Sequence, residues 1–192
     1  MSAAIDLRQA SRILVYGVTG SGKSTMAARI SSATGIDWYA VDDLTWEPGW
    51  TVVPLDEQRK RIEAICRREE WILDSGYAKW LDIPMSSVDL IIGLDYPRWR
   101  SFGRLCRRTV IRLVDRTVIC NGNRESLRNT LSKDSLLIWH FKSFKRKQRR
   151  IRAWEADPAS PAVQRIRSAR DVRQLLPDVR TAPPARPSVP PP

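Results

Sequence analysis

The chain of 192 residues is poor in the side chains that most often build a site unaided, with three cysteines and one histidine. Cys66, Cys106 and Cys120 are odd in number, widely spaced and without a C-x-x-C pairing, so they suggest neither a disulfide framework nor a zinc centre. Reduced, partly buried thiols are the reading. The lone His140, in Ile138-Trp139-His140-Phe141, excludes any mechanism that needs two histidines of one chain, and its place in a helical pattern points to packing. No apolar run approaches the length needed to cross a bilayer, and the first dozen residues lack the apolar middle of a secretory signal. A cytoplasmic protein with no membrane partner is expected. Acids are also short, 21 against 33 lysines and arginines, a net charge of +12. That excess draws polyanions at low salt and admits nucleic acid as a partner, but on nonspecific charge alone. No helix-turn-helix, zinc finger or aromatic-rich RNA-binding motif accompanies it. Nothing in the sequence sets an oligomeric state.

What is present is enough for one core: 42% of the residues are hydrophobic and eight are tryptophan. A single domain over residues 1–180 is expected, followed by a disordered, extended tail at 181–192 (TAPPARPSVPPP), where proline lacks the amide donor and fixes its own dihedral. Ile13 to Tyr16 is an apolar run closed by glycine, a buried strand entering a turn. Lys23 to Ser32 has helical spacing at Met26, Ala27 and Ile30. Further strands are expected at Trp38–Val41, Trp71–Leu73, Val88–Leu94 and Val163–Ile166. Helices are expected at Leu55–Cys66, Trp99–Leu113, across most of Arg124–Arg150, and at Ala169–Leu176. Alternating strands and helices give an α/β fold with a five-stranded parallel sheet flanked by helices.

Between the first strand and the first helix stands Gly17-Val18-Thr19-Gly20-Ser21-Gly22-Lys23-Ser24-Thr25, a complete G-x-x-x-x-G-K-[ST] loop in its required context. Gly17, Gly20 and Gly22 let the backbone curl with its N–H groups inward, and the helix presents its positive end to the same place. Lys23 adds a full charge for the outer phosphates of a nucleoside triphosphate, and Ser24 offers a hydroxyl to Mg²⁺. ATP and Mg²⁺ are therefore the expected cofactors, with the whole loop as contact.

The rest of a site must come from elsewhere. Ligands of open α/β sheets bind beyond the carboxyl ends of the strands, where Asp42, Asp43, Asp74 and Asp95 should emerge. A carboxylate there can orient Mg²⁺ through water, bind an acceptor hydroxyl or take its proton; Asp95 is the expected metal ligand beside Ser24. Arg104, Arg107 and Arg108 share one side of the expected Trp99–Leu113 helix, and seven arginines lie from Arg98 to Arg116. Seven basic residues and no acid also run from Lys142 to Arg152, a pattern that reads as a solvated helix face. Trp46 and Trp50 flank Pro48-Gly49, where a flat apolar wall can stack on a ring.

GVTGSGKST, VDDLTWEPGW, WILDSGY and LIIGLDYPRWRSFGRLCRR together resemble the bacterial P-loop proteins known as DNA topology modulation proteins or adenylate-kinase-like ATPases, over nearly the whole chain to about Leu176. The resemblance implies a nucleoside- or shikimate-kinase-like fold, an acceptor region after the second strand and a closing lid at about 116–124. It implies that Asp42 faces the acceptor, that Trp46, Trp50 and Tyr77 line its pocket, and that Arg104 packs on the base near residues 168–172. Arg107 or Arg108 then reaches the phosphates, completing a catalytic set with Lys23 and Asp42. One departure is visible: the family's Asp-Gly-Asn-Tyr stands here as Asp74-Ser75-Gly76-Tyr77. The expected function is a small-molecule kinase transferring the γ-phosphoryl group of Mg²⁺-ATP to a small acceptor. The alternatives are a nucleic-acid-associated NTPase and a nucleotide-binding regulator without turnover.

Overall fold

The structure, a computed structural model, describes residues 7–115, 118–119, 121–124, 136–177 and 186–188. Five strands form the main sheet: β1 (Arg12–Gly17), β2 (Trp38–Tyr39), β5 (Trp71–Leu73), β6 (Leu90–Leu94) and β9 (Ala162–Ile166), with α1 (Lys23–Thr34) following β1. The order across the sheet is β2-β5-β1-β6-β9, and every pairing is parallel. The fold is α/β, with helices on both faces. Between β2 and β5 lie α2 (Val41–Thr45), a small hairpin of β3 (Trp46–Glu47) and β4 (Thr51–Val52), and α3 (Leu55–Cys66); α4 (Asp82–Met85) precedes β6. After β6 come α5 (Arg98–Asp115), a second small hairpin of β7 (Val118–Ile119) and β8 (Asn123–Arg124), α6 (Leu136–Ala156), and, after β9, α7 (Ala169–Leu175).

Strand β1 is buried along nearly its whole length because both sheet faces are covered. Its side chains alternate, so Ile13 and Val15 join the core under α1 and α7, whereas Leu14 and Tyr16 join the one under α3 and α6. Each fully buried aliphatic side chain contributes about 1.5–3 kcal/mol. Glycine sets how close α6 can come: a Cβ on Gly93 of β6 would lie 2.6 Å from Ile151 Cγ2. This close approach brings α6 alongside β1, beside the loop that leaves it. Because β1 lies between strands reached by opposite windings of the chain, its carboxyl end is the switch point of the sheet, where ligands of such folds bind.

The second strand stops at Tyr39, short of the expected Val41. The amide of Val41 donates to Asp74 Oδ1 at 2.9 Å instead of continuing the ladder, and the chain turns into α2. Asp42 and Asp43 thus sit in the first turn of a short helix and not at a strand end. The long late helix begins at Leu136 and continues to Ala156, past the expected Arg150; residues 125–135 lie outside the described residues. The capped start of α7 is formed by Ser168 and Asp171, each side chain bonding the other's backbone. Of the expected lid, 118–119 and 121–124 are described, and they form the β7–β8 hairpin turning at Asn121-Gly122, both at positive φ. Of the proline-rich tail only 186–188 are described, where the Ser188 amide donates to Trp38 O at 2.8 Å.

Candidate active site

Gly17 to Thr25 leaves β1 and enters α1 as the sequence pattern requires, and sterics show why glycine stands at two of its positions. Gly20 has φ +79, and a Cβ there would lie 2.5 Å from Ser101 O and 2.8 Å from Leu105 Cβ, so the loop lies flush on α5. A Cβ on Gly17 would meet Ser21 Oγ at 2.8 Å and Leu94 Cβ at 3.0 Å.

Side chains pin the carbonyls of this loop. Lys147 Nζ donates to Gly17 O at 3.1 Å and Lys23 Nζ to Val18 O at 3.2 Å. His140 Nδ1 lies 3.0 Å from Thr19 O, which requires the Nδ1–H tautomer, and Arg104 Nη1 donates to Ser21 O at 3.2 Å. With its carbonyls engaged by cations and an imidazole, the loop is held in shape for an anion. His140 and Lys147, both from α6, were not singled out by sequence reasoning as contacts of the loop. A signal was available: His140, Ser143, Phe144, Lys147 and Ile151 are buried at helical spacing through the basic run, and only a stripe facing the core places a lysine in line with isoleucine and phenylalanine.

Burial lowers the Lys23 ammonium, and Arg108 lowers it further, while Asp74 and Asp42 oppose the shift. Burial likewise brings Lys147 down to about 7, with Lys23 as the next cause. Burial and a second cation thus weigh on each lysine, Arg108 on Lys23 and Lys23 on Lys147, where added negative charge would relieve both. Of the two candidate arginines, Arg108 is the one that acts on Lys23; Arg107 is exposed on α5.

Ser24 and Asp95, expected together, are held apart by their bonding. Asp95, its side chain 1% exposed, takes Arg152 Nε at 3.1 Å, Arg165 Nη1 at 3.4 Å and Gln148 Nε2 at 2.8 Å. Ser24 Oγ donates instead to Asp74 Oδ2 at 2.5 Å. Burial and the neighbouring Asp42 raise the Asp74 carboxyl to about 6, against the bonds from Ser24 and Val41 and the charge of Lys23. A hydroxyl and a carboxylate are the hard oxygen donors that Mg²⁺ accepts, with water and phosphate supplying the rest. Among the described residues no group of three or more His, Cys, Asp or Glu gathers as a protein-only cage. Cys66 and Cys106 are free, and burial raises the Cys66 thiol to about 12, leaving it inert. Cys120 lies outside the described residues.

Asp42 is exposed beside this cluster and accepts the Tyr77 hydroxyl on Oδ1 at 2.5 Å. Burial first and Asp42 second hold the Tyr77 phenol well above its ordinary value, so it remains the donor. Trp46 and Trp50 meet edge to face, centroids 5.7 Å apart. Trp50 adopts φ 59, a region costly for a non-glycine residue, and its amide is held at 2.7 Å by Asn123 Oδ1. Asn123 Nδ2 donates to Glu47 O at 2.9 Å, and Asn121 Nδ2 donates to Asp43 O at 2.7 Å and Trp46 O at 2.8 Å. The β7–β8 hairpin is thereby fastened to the segment after α2, a contact that its Asn-Gly turn did not announce.

On the other side of the loop a cleft of about 730 Å³ is lined by Gly22, Thr25, Arg29, Tyr96, Arg104 and Val172, among others. Its volume lies within the roughly 300–1,000 Å³ of small-molecule sites. Arg104 lies over the Tyr96 ring, 5.0 Å from the centroid, so its guanidinium plane is backed by an aromatic face. Ala169 also lines the cleft, so with Val172 the 168–172 segment shares it with Arg104.

No protein-family model matches the chain, and no curated protein sequence matches it. Among solved structures it is similar to a gluconokinase from Sinorhizobium meliloti 1021, at 18% identity over 88% of this chain and 91% of that one, with a TM-score of 0.48. The functional reading therefore rests on the geometry of the site itself. No described helix is long and apolar enough to cross a membrane.

Proposed function

We propose that the chain is an ATP-dependent phosphotransferase acting on a small hydroxyl-bearing molecule. The observation that carries the reading is the convergence, at the mouth of the pinned loop, of Lys23, the Ser24–Asp74 pair and the Asp42–Tyr77 pair. When bound, Mg²⁺-ATP supplies the γ-phosphoryl group. The loop amides and Lys23 hold its outer phosphates, Ser24 and Asp74 hold the ion, and Arg104 with the 168–172 segment holds the base.

Tyr77 keeps Asp42 Oδ1 occupied and leaves Oδ2 to an incoming hydroxyl. Asp42 accepts the proton as the acceptor oxygen forms its bond to phosphorus, and the departing oxygen leaves with the electron pair on ADP. Arg108 and Lys23 neutralise charge on the group in flight. The resemblance of the Val41–Trp50 segment to the adenylate-kinase-like ATPases supports the same reading. The test is ADP release from Mg²⁺-ATP over a panel of hydroxylated compounds, with the phosphorylated product identified by mass. Slow hydrolysis alone across the panel would sink the proposal.

A further inference from the structure

The phosphotransferase reading leaves the acceptor's charge open, and the side chains around Asp42 bear on it. A phosphorylated or carboxylated acceptor needs cations committed to it. Helix α3, which packs against both α2 and α4, carries two arginines toward this region, and both are already engaged by acids. Arg59 grips Asp82 through two nitrogens, at 3.0 and 2.6 Å, and donates to Lys79 O at 2.9 Å. Arg61 places Nη2 on Glu47 at 3.1 Å and Nε on Glu57 at 3.2 Å, with Nη1 3.5 Å from Leu44 O. Lys60 and Lys79 are solvent-exposed.

Meanwhile the first turn of α2 holds Asp42, exposed, and Asp43, half-buried, and Asp74 lies within reach of the Asp42 charge. The cations that do approach the centre, Lys23, Lys147 and Arg108, surround the loop, where a triphosphate has the first claim on them. An acceptor bearing its own anionic group would meet the Asp42 carboxylate where, among the described residues, the two guanidiniums of α3 are already engaged by acids. An uncharged one meets a carboxylate oxygen ready for its hydroxyl.

We infer that the acceptor is an uncharged, hydroxyl-bearing compound and not a phosphate monoester or a carboxylate, because the exposed Asp42 borders its site while Arg59 and Arg61 of the neighbouring helix are held in ion pairs. This rests on the phosphotransferase reading and narrows it. Discrimination by like-charge repulsion alone amounts to roughly tenfold or more.

The experiment compares matched pairs on the full chain with Mg²⁺-ATP: nucleosides against their monophosphates, and aldoses against the corresponding aldonates. Expected is stimulation of ADP release by a neutral member, at least about tenfold above that by its anionic partner. An anionic member outperforming its neutral partner would overturn the inference and leave the phosphotransferase reading standing. No stimulation by any compound would overturn that reading and this inference with it. A second arm uses Glu47→Gln, which releases Arg61 from one acid. The neutral-to-anionic preference should shrink by roughly threefold or more, and an unchanged preference would overturn the role given to the paired arginines.

Discussion

The two halves of the proposed site, one for nucleotide and one for acceptor, are built from different materials. The nucleotide half is backbone: a loop curled between β1 and α1, seated on α5 through Gly20, its carbonyls tied by Lys147, Lys23, His140 and Arg104. The acceptor half is side chain: Asp42 on a five-residue helix, Tyr77 on a loop, and a hairpin whose strained Trp50 is fastened by Asn123. Asp74 joins them, with one oxygen on Ser24 of α1 and the other on the amide that opens α2. In the proposed function, backbone recognition asks for an anion of phosphate geometry. Side-chain recognition leaves identity to a few substitutable groups, so damage on the two sides should read out differently.

Asp42→Asn should do most harm and only on one side. It removes the proton acceptor, so acceptor-dependent turnover should fall by about 10²–10⁴ while ATP affinity stays within about twofold. Equal losses in both would show that Asp42 serves the nucleotide and dissolve the division. Lys23→Ala is the complementary case: loss of a charge-assisted contact to phosphate should weaken ATP binding by about ten- to a hundredfold, measured by calorimetry. Unaltered binding and turnover would remove the foundation of the nucleotide half.

Lys147 sharpens the comparison through pH. Its folded value of about 7 lies below the ordinary 10.5, so between these values the unfolded chain holds the proton more tightly and this lysine's contribution to stability rises with pH. The cost of charging it in place, about 1.4 kcal/mol for each pH unit of displacement, is full below pH 7 and gone above 10.5. Lys147→Met should therefore gain most over the parent at pH 7 or below, and the advantage measured by thermal melting should shrink steadily toward pH 10. A pH-independent difference would mean the ammonium is not desolvated. The smallest effect is expected for Arg104→Ala, which removes a guanidinium stacked on Tyr96: a loss of about 0.5–1 kcal/mol in ATP affinity, with no change in preference among acceptors.

The loop was legible because anion binding by amides imposes glycine, lysine and serine at fixed spacing within one short stretch. The parallel sheet was legible because its strands are apolar runs. The carboxylate partner of Ser24 was not: Asp74 and Asp95 both follow strands adjacent to β1. What separates them is that Arg165, on the neighbouring β9, and Arg152, on α6, claim Asp95, a fact of packing that no local pattern records. Asp42 was expected at a strand end and appears on α2, since a bond from Val41 to a carboxylate more than thirty residues away redirected the chain. Asn121 and Asn123 read as turn residues and act as fasteners, because their partners are backbone atoms with no sequence signature.

The pins on the loop carry a consequence for how the protein is made. Gly17 waits for Lys147, 130 residues later, and Thr19 for His140, 121 residues later. A nascent chain that has emerged only as far as β6 displays every residue of the phosphate motif yet lacks three of its stays, Arg104 of α5 among them, so nucleotide should be held firmly only once synthesis has passed α6.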